Sequence, residues 1–269
     1  MNGLSSDLTL WQLASAYLFI VILLIIVRIK GIPREKEILI SSVRMTIQLM
    51  IVGYLLAYIF THAHPVYTLI ILVFMLLFAI YNVYQRAKIP LNRELKKKIA
   101  ISMALGVLAT LVYFLMVTLS VSPWYNPRYV IPVSGMIIGN TMTGISLGVN
   151  TLLNGMNANK QMVETALMLG ATPREATRPI INQAFDSAML PTINSMVGMG
   201  IVFLPGMMTG QIIGGASPLM AIRYQIAVML GIVGGASLTV LLFVQISYMA
   251  FFNNRCQLKE NELNVKSTH

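Results

Sequence analysis

Apolar runs divide this chain at roughly Leu10–Val27, Met45–Thr61, Val66–Tyr84, Ile99–Val121, Tyr129–Leu152, Leu190–Ile213 and Met220–Phe252. Each holds about 17 residues or more, the length a helix needs to cross roughly 30 Å of hydrocarbon. The pattern predicts an all-α integral membrane protein of about seven transmembrane helices, forming one membrane domain over residues 1–269. The last run is long and is expected to tilt or to extend beyond the bilayer. Asn82, Asn140 and Gln225 interrupt the apolar pattern within spans. The segment Leu204–Pro218 is largely apolar yet holds several glycines and prolines. It predicts a broken helix or re-entrant turn, tolerated at membrane depth only where it is buried in protein or lines a cavity.

Between Asn154 and Pro191 the apolar pattern gives way to a polar stretch, whose middle reads Glu164-Thr-Ala-Leu-Met-Leu-Gly170-Ala-Thr172-Pro173-Arg174-Glu175. This predicts two short helices with a break between them. Gly170 supplies the left-handed residue that ends the first. Thr172, Pro173 and Glu175 fall at N-cap, N1 and N3 of the second, a capping box with proline where its missing N–H costs nothing. The result is a helical elbow between spans five and six.

Charge places that elbow. Arg28, Lys30, Arg34, Lys36 and Arg44 precede or open span two, and Arg86, Lys88, Arg93, Lys96, Lys97 and Lys98 lie between spans three and four. Lys160, Arg174 and Arg178 belong to the elbow region, and Arg255, Lys259 and Lys266 follow span seven. In a seven-span arrangement all of these share one side, and only Arg128 and Arg223 fall on the other. Basic residues accumulate in cytoplasmic loops. The N-terminus is therefore expected outside, the C-terminus in the cytoplasm and the elbow on the cytoplasmic face.

Composition agrees with the pattern. The 269 residues are 57% hydrophobic and 10% charged, against about 25% charged in soluble domains. The net charge of +10 is confined to short stretches between apolar runs, so it reads as membrane topology and not as a nucleic-acid surface. The first ten residues carry Asp7 and no Lys or Arg, which does not fit the basic start of a cleavable signal peptide. Cys256 is the single cysteine, and the histidines are His62, His64 and His269. Neither a disulfide nor a Cys/His metal spacing is available. No cofactor is expected, and the spacing names no metal ligand set.

Enzymatic motifs are equally thin. No Gly-Lys pair occurs, so the chain has no phosphate loop of its own, and if ATP drives it another polypeptide must hold the nucleotide. Gly144-Ile-Ser146-Leu-Gly148 matches the nucleophile-elbow pattern. That motif requires a strand-to-helix turn and a histidine base, whereas this one lies within an apolar run. Small residues for close helix approach, together with Gly135 and Gly139, are the better account.

Several polar positions are candidates for a translocation pathway. Arg44 and Gln48 stand one helical turn apart at the start of span two. They read either as a snorkelling arginine and its neighbour, or as part of a polar pathway, with Glu164 a conceivable partner. Asn140, Thr141 and Thr143 in span five, and Asn194 and Ser195 in span six, read as interhelical hydrogen bonds or as pathway groups. Among the nineteen methionines, most are adaptable packing. Met207 and Met208, in the broken segment, are the pair whose thioethers suit a soft metal.

The blocks Arg44-Met-Thr-Ile-Gln48-Leu-Met-Ile-Val-Gly53-Tyr54, Ile131-Pro-Val-Ser-Gly-Met-Ile-Ile-Gly139-Asn140, Leu169-Gly-Ala-Thr-Pro173, Leu204-Pro-Gly-Met-Met-Thr-Gly210 and Ala221-Ile-Arg-Tyr-Gln-Ile226 resemble the FetB family of ABC-transporter permeases. The resemblance runs from about residue 36 to residue 257 with its blocks in family order, and the family includes plant proteins linked to aluminium tolerance. It implies a permease subunit in a bacterial inner membrane, working as a homodimer in the lipid bilayer with a separate FetA-like ATPase, and exporting iron or another metal. The stretch from Glu164 to Gly170 also resembles the EAA loop of importer permeases, although Leu190-Pro191 lies farther downstream than in that pattern. Where the family pattern has Asp, this chain has Asn194. A cation-binding or coupling role for that carboxylate is accordingly absent or altered here.

Two readings follow. In one, the chain is an ABC permease whose elbow receives force from ATPase subunits. In the other, it is an ATP-independent channel or secondary transporter built around the broken segment and Asn140. The scarcity of intramembrane acids weighs against the second reading.

Overall fold

The structure is a computed structural model that describes residues 9–87, 89–253 and 255–259. It divides into two units, one ending at Ala63 and one beginning at His64. Among the described residues, six helical segments are long and apolar enough to cross a membrane: Trp11–Ile29, Glu35–Thr61, Pro65–Arg86, Arg93–Thr118, Pro127–Ala158 and Pro218–Phe251. The chain is a multi-pass membrane protein.

The first unit is a helical hairpin. Helices α1 (Leu10–Ala16) and α2 (Leu18–Ile29) form one nearly continuous segment, broken at Tyr17. Helix α3 (Glu35–Thr61) returns beside α2, and the Tyr17 hydroxyl meets the Thr46 hydroxyl across the pair. The sequence places the start of this span at Met45. The helix instead begins ten residues earlier at Glu35, where Glu35 and Glu37 provide negative charge in its first turn, the sign the helix dipole favours there. Ile59 is the one buried residue of α3. Val27 is the buried residue of α2, and most other apolar side chains of the hairpin are exposed, as in a lipid-facing element.

The second unit holds α4 (Pro65–Arg86), α5 (Arg93–Tyr113), α6 (Pro127–Ala158), α7 (Lys160–Met168), α8 (Pro173–Gly198), α9 (Gly206–Ile213) and α10 (Pro218–Ser247). A π-helical turn, Phe114–Thr118, extends α5, and a 3-10 turn, Tyr248–Phe251, ends α10. Helix α6 is the spine, packed against α4, α8 and α10, while α5 packs mainly on α10. Small residues let these helices approach closely. A β-carbon on Gly106 would stand 2.2 Å from the Thr239 hydroxyl oxygen, and one on Gly155 would stand 2.6 Å from Ile180. Gly144 and Gly148 of α6 face Ala188 and Ala184 of α8, so a small-x-x-x-small pair meets another across the interface. The nucleophile-elbow match at Gly144–Gly148 is thus a packing surface.

The two ends of this bundle differ in charge. At one end the Asn150 amide donates to the Arg86 carbonyl at 3.3 Å, and the Tyr84 hydroxyl donates to the Lys96 carbonyl at 2.6 Å. At the same end Lys259 donates to Glu94 at 2.9 Å and to the Ala250 carbonyl at 3.0 Å. These contacts bring the end of α4, the start of α5 and the tail after α10 together, along with most basic residues of the unit. At the opposite end the Thr68 hydroxyl donates to the Tyr125 carbonyl at 3.0 Å, and the rings of Tyr129 and Tyr224 lie 6.4 Å apart. Arg128 and Arg223 belong to that end.

Two expectations are corrected. The elbow's second helix is not short: α8 continues through Pro179 and Pro191 for 26 residues. Its contacts run the height of the bundle, from Ile180 on Gly155 through Ala188 on Gly144 to Met199, just past its end, whose sulfur accepts from the Gln225 amide at 3.9 Å. The apolar run Leu190–Ile213 is also not one continuous helix. The chain leaves helix after Gly198, turns at Gly200 with φ +83°, and resumes as α9 only at Gly206. The apolarity of Ile201, Val202 and Leu204, all exposed, extends the hydrophobic pattern past the helix end. The polar first half of α8, with Asn182, Gln183 and Asp186, hides its length from that pattern.

Candidate functional site: the helical elbow and the buried polar positions

The elbow forms as the local sequence dictates. Gly170 adopts φ +95°; its N–H donates to the Leu167 carbonyl and that of Ala171 to the Ala166 carbonyl, both at 3.0 Å. This is a Schellman stop, which needs the left-handed residue that glycine supplies without strain. Immediately after it, the Thr172 hydroxyl oxygen accepts from the Glu175 N–H at 3.3 Å. The Glu175 carboxylate accepts from the Thr172 N–H at 2.9 Å and from its hydroxyl at 2.7 Å. Those bonds, the backbone one first, hold the Glu175 carboxyl below the ordinary carboxylate range. Pro173 occupies the first turn.

A stop and a start within four residues leave the connecting turn rigid and projecting. Val163 is fully buried and fixes α7 to the bundle, whereas Met168 and Leu169 are 86% and 84% exposed. Two large apolar side chains thus stand at the apex. Glu164 lies on the flank of α7, with its carboxylate 3.8 Å from the Lys160 ammonium. Sequence reasoning found the frame of the elbow but not its apex. Met168 and Leu169 look like ordinary helix-face residues until the Schellman stop fixes which way they point.

The same construction recurs at the other end of the bundle. Helix α9 ends at Gly215, φ +92°, with the Gly215 N–H donating to Ile212 at 3.0 Å and that of Ala216 to Gln211 at 2.9 Å. Ser217 then caps α10, and Pro218 opens it. Gly170-Ala-Thr-Pro173 and Gly215-Ala-Ser-Pro218 are one cassette used twice.

The candidate pathway residues are placed as follows. Arg44 and Gln48 lie in the first unit, exposed on α3. The Asn140 amide donates to the Met136 carbonyl of its own helix at 2.8 Å. Asn194 is exposed on the last turns of α8. Met208 is buried where α9 meets the bundle, and Met207 packs half-buried on the core. Among the described residues, no three His, Cys, Asp or Glu side chains gather as a metal site.

Buried polarity lies elsewhere. Among the described residues, the hydroxyls of Ser134 and Thr141 on α6 and the side-chain carbonyl of Gln225 on α10 are buried without a hydrogen-bond partner. Leaving such groups unpaired costs on the order of 1–3 kcal/mol each, so their retention calls for an explanation. Gln225 announces itself in the sequence as a polar break in an apolar run. Thr141 stands among the polar candidates of its run, but Ser134 does not, because a hydroxyl in a membrane helix usually bonds back to its own backbone.

Comparison with known proteins gives the family. The profile described as "Uncharacterised protein family (UPF0014)" matches residues 10–252. Over 263 residues the chain is 36% identical to the "Probable iron export permease protein FetB" of Escherichia coli (strain K12), covering 97% of this chain and 99% of that protein. It is 34% identical over 262 residues to the "UPF0014 membrane protein YjkA" of Bacillus subtilis (strain 168), covering 97% of this chain and all of the relative. It is also 34% identical over 247 residues to the "Protein ALUMINUM SENSITIVE 3" of Arabidopsis thaliana, covering 91% of this chain and 88% of that one. No solved structure matches. With a profile match across nearly its whole length and relatives matched end to end, this chain is a member of the UPF0014 family.

Proposed function

We propose that the chain is the transmembrane permease subunit of an ATP-binding cassette transporter, acting as a homodimer in a bacterial inner membrane and driven by a separate ATPase. The observation that carries this reading is the apex of the elbow. Met168 and Leu169 project from a turn locked on both sides, at the end of the bundle that holds most of its basic residues. By the positive-inside rule that end is cytoplasmic. An apolar apex held rigidly in water is a docking feature, and a chain with no phosphate loop needs a partner that has one.

The continuity of α8 gives the elbow a mechanical output. Force applied at Thr172–Pro173 passes along one helix, through the Ala188–Gly144 contact, to the Met199–Gln225 contact at the far end. In this reading α8 is the seventh crossing, the whole chain is one permease domain, and tilting α8 against α6 and α10 opens a pathway to which the now-buried Ser134, Thr141 and Gln225 would contribute polar groups. Iron, or another metal, is the proposed cargo on the strength of the name of the Escherichia coli relative. The name of the Arabidopsis relative, with aluminium in it, is compatible with a trivalent cation or its complex.

The test is substitution at the elbow. Gly170→Val forces a β-branched residue into a left-handed conformation, and Pro173→Gly loosens the first turn of α8. Both should reduce ATPase co-purification and transport-coupled hydrolysis. Unchanged assembly and coupling would remove the elbow from the mechanism and favour the ATP-independent alternative.

A further inference from the structure

A groove between α5 and α10, at the Arg223 end of the second unit, takes no part in the reading above. Its volume is about 590 Å³, with Tyr113, Phe114 and Thr118 on one wall and Arg223, Leu230 and Gly234 on the other. Tyr113 and Leu230 are exposed, so the groove opens sideways. In a membrane-spanning bundle that direction faces lipid.

Four features of the groove agree. Its floor is kept open by a glycine that packing does not require. A β-carbon on Gly231 would lie 2.7 Å from the Phe114 ring, and one on Gly235 would lie 2.9 Å from Thr110. Those two glycines serve the helix contact. Gly234 has no atom within 4 Å of its β-carbon position, and what its missing side chain leaves is free space. One wall is the π-helical turn Phe114–Thr118, a distortion that is rare in general and frequent at binding sites. Arg223 sits at the rim with no ion pair among the described residues. Its neighbour Tyr224 lies near Tyr129, the rings tilted at 45°, an aromatic level typical of the lipid headgroups. From Arg223 to Leu238 the groove follows α10 for about 22 Å at 1.5 Å per residue, whereas one leaflet of hydrocarbon is roughly 15 Å deep.

We propose that this groove binds an anionic phospholipid from the leaflet at the Arg223 end, with the phosphate on the Arg223 guanidinium and one acyl chain along Gly234. The cation supplies charge complementarity for the headgroup, and the apolar channel below it matches a chain that ends just past the bilayer midplane. Among the described residues of the second unit no carboxylate belongs to that end, so a mobile anion is what this arginine lacks.

Native mass spectrometry of the purified full chain, titrated with phosphatidylglycerol and with phosphatidylcholine of the same acyl chains, tests the proposal. One arginine–headgroup contact near a membrane surface predicts roughly a fivefold preference for phosphatidylglycerol. Arg223→Gln should bring the two lipids to parity, while Arg128→Gln, at the same end but outside the groove, should leave the preference intact. Gly234→Leu, whose side chain starts into open space, should keep the fold and lose both lipids from this site. A wild type with no preference, or a preference that survives Arg223→Gln, would overturn the proposal. So would a Gly234→Leu chain whose lipid count is unchanged and whose oligomeric state shifts, since a second copy of the chain would then be the occupant.

Discussion

A β-carbon on Gly144 of α6 would stand 3.1 Å from the carbonyl oxygen of Ala188 on α8. This backbone-to-backbone approach holds the long elbow helix against the spine of the bundle at mid-height. Gly144→Leu should therefore push the helices apart and destabilise the protein by about 1–3 kcal/mol, the usual cost of overpacking. Gly139→Ala, on the same helix with no atom within 4 Å of the new carbon, should be neutral or gain up to about 1 kcal/mol from helix propensity. Thermal unfolding in one detergent separates the two, and equal effects would deny the contact its role.

The cap of α8 should respond to acid. Glu175 has its carboxyl held below the ordinary range by the Thr172 N–H and hydroxyl. A depressed folded value means the capping contribution is complete above the unfolded value and disappears as pH falls through the folded one. Protection factors of the Thr172, Glu175 and Ala176 amides, each referenced to the intrinsic exchange rate at that pH, should thus be high near neutrality and fall on acidification. Thr172→Ala should weaken the pH response, since only the hydroxyl bond is lost and the backbone N–H at 172 remains, and should cost about 1 kcal/mol of local stability. Glu175→Gln should abolish the response.

The apex of the elbow is predicted to act at a surface, not in the fold. Met168→Ser with Leu169→Ser alters two side chains that are 86% and 84% exposed, so the thermal midpoint should stay within a degree or two. Capture of the ATPase subunit in a co-purification should fall tenfold or more, as loss of about 1.4 kcal/mol or more at a central apolar anchor implies. A drop in thermal stability matching the drop in capture would mean the apex packs within this chain.

Much of this was readable from residues alone, and the rest failed for identifiable reasons. The frame of the elbow was legible because stop and start signals are local: a glycine free to take φ +95°, a capping threonine, a proline at the first helical position and a glutamate three residues after the cap. The extent of α8 was not, because its first half is too polar to register as membrane and its exit is blurred by exposed Ile201 and Val202. Arg44 and Gln48 were legible as unusual, but what a polar side chain meets across helices is not written in its own neighbourhood. Ser134 illustrates the same limit from the other side. Nothing local distinguishes a hydroxyl bonded to its own helix from one left without a partner in the interior.

Gln225 separates stability from function. Among the described residues its buried side-chain carbonyl has no partner, and its amide finds only the Met199 sulfur. Gln225→Leu should then be neutral or stabilising by up to about 2 kcal/mol, because an unsatisfied buried polar group is removed. Transport should nevertheless fall, since the polar lining that the pathway requires is lost. A variant both more stable and fully active would show that this amide is not part of the pathway.

The central claim is that a separate ATPase drives this membrane domain through the elbow, and flux in reconstituted vesicles tests it most directly. Radiolabelled iron should move when the permease and its ATPase are reconstituted together with ATP. It should not move with the permease alone, nor when the pair carries Met168→Ser and Leu169→Ser. Iron flux through the permease alone, at the rate of the complete pair, would contradict the account.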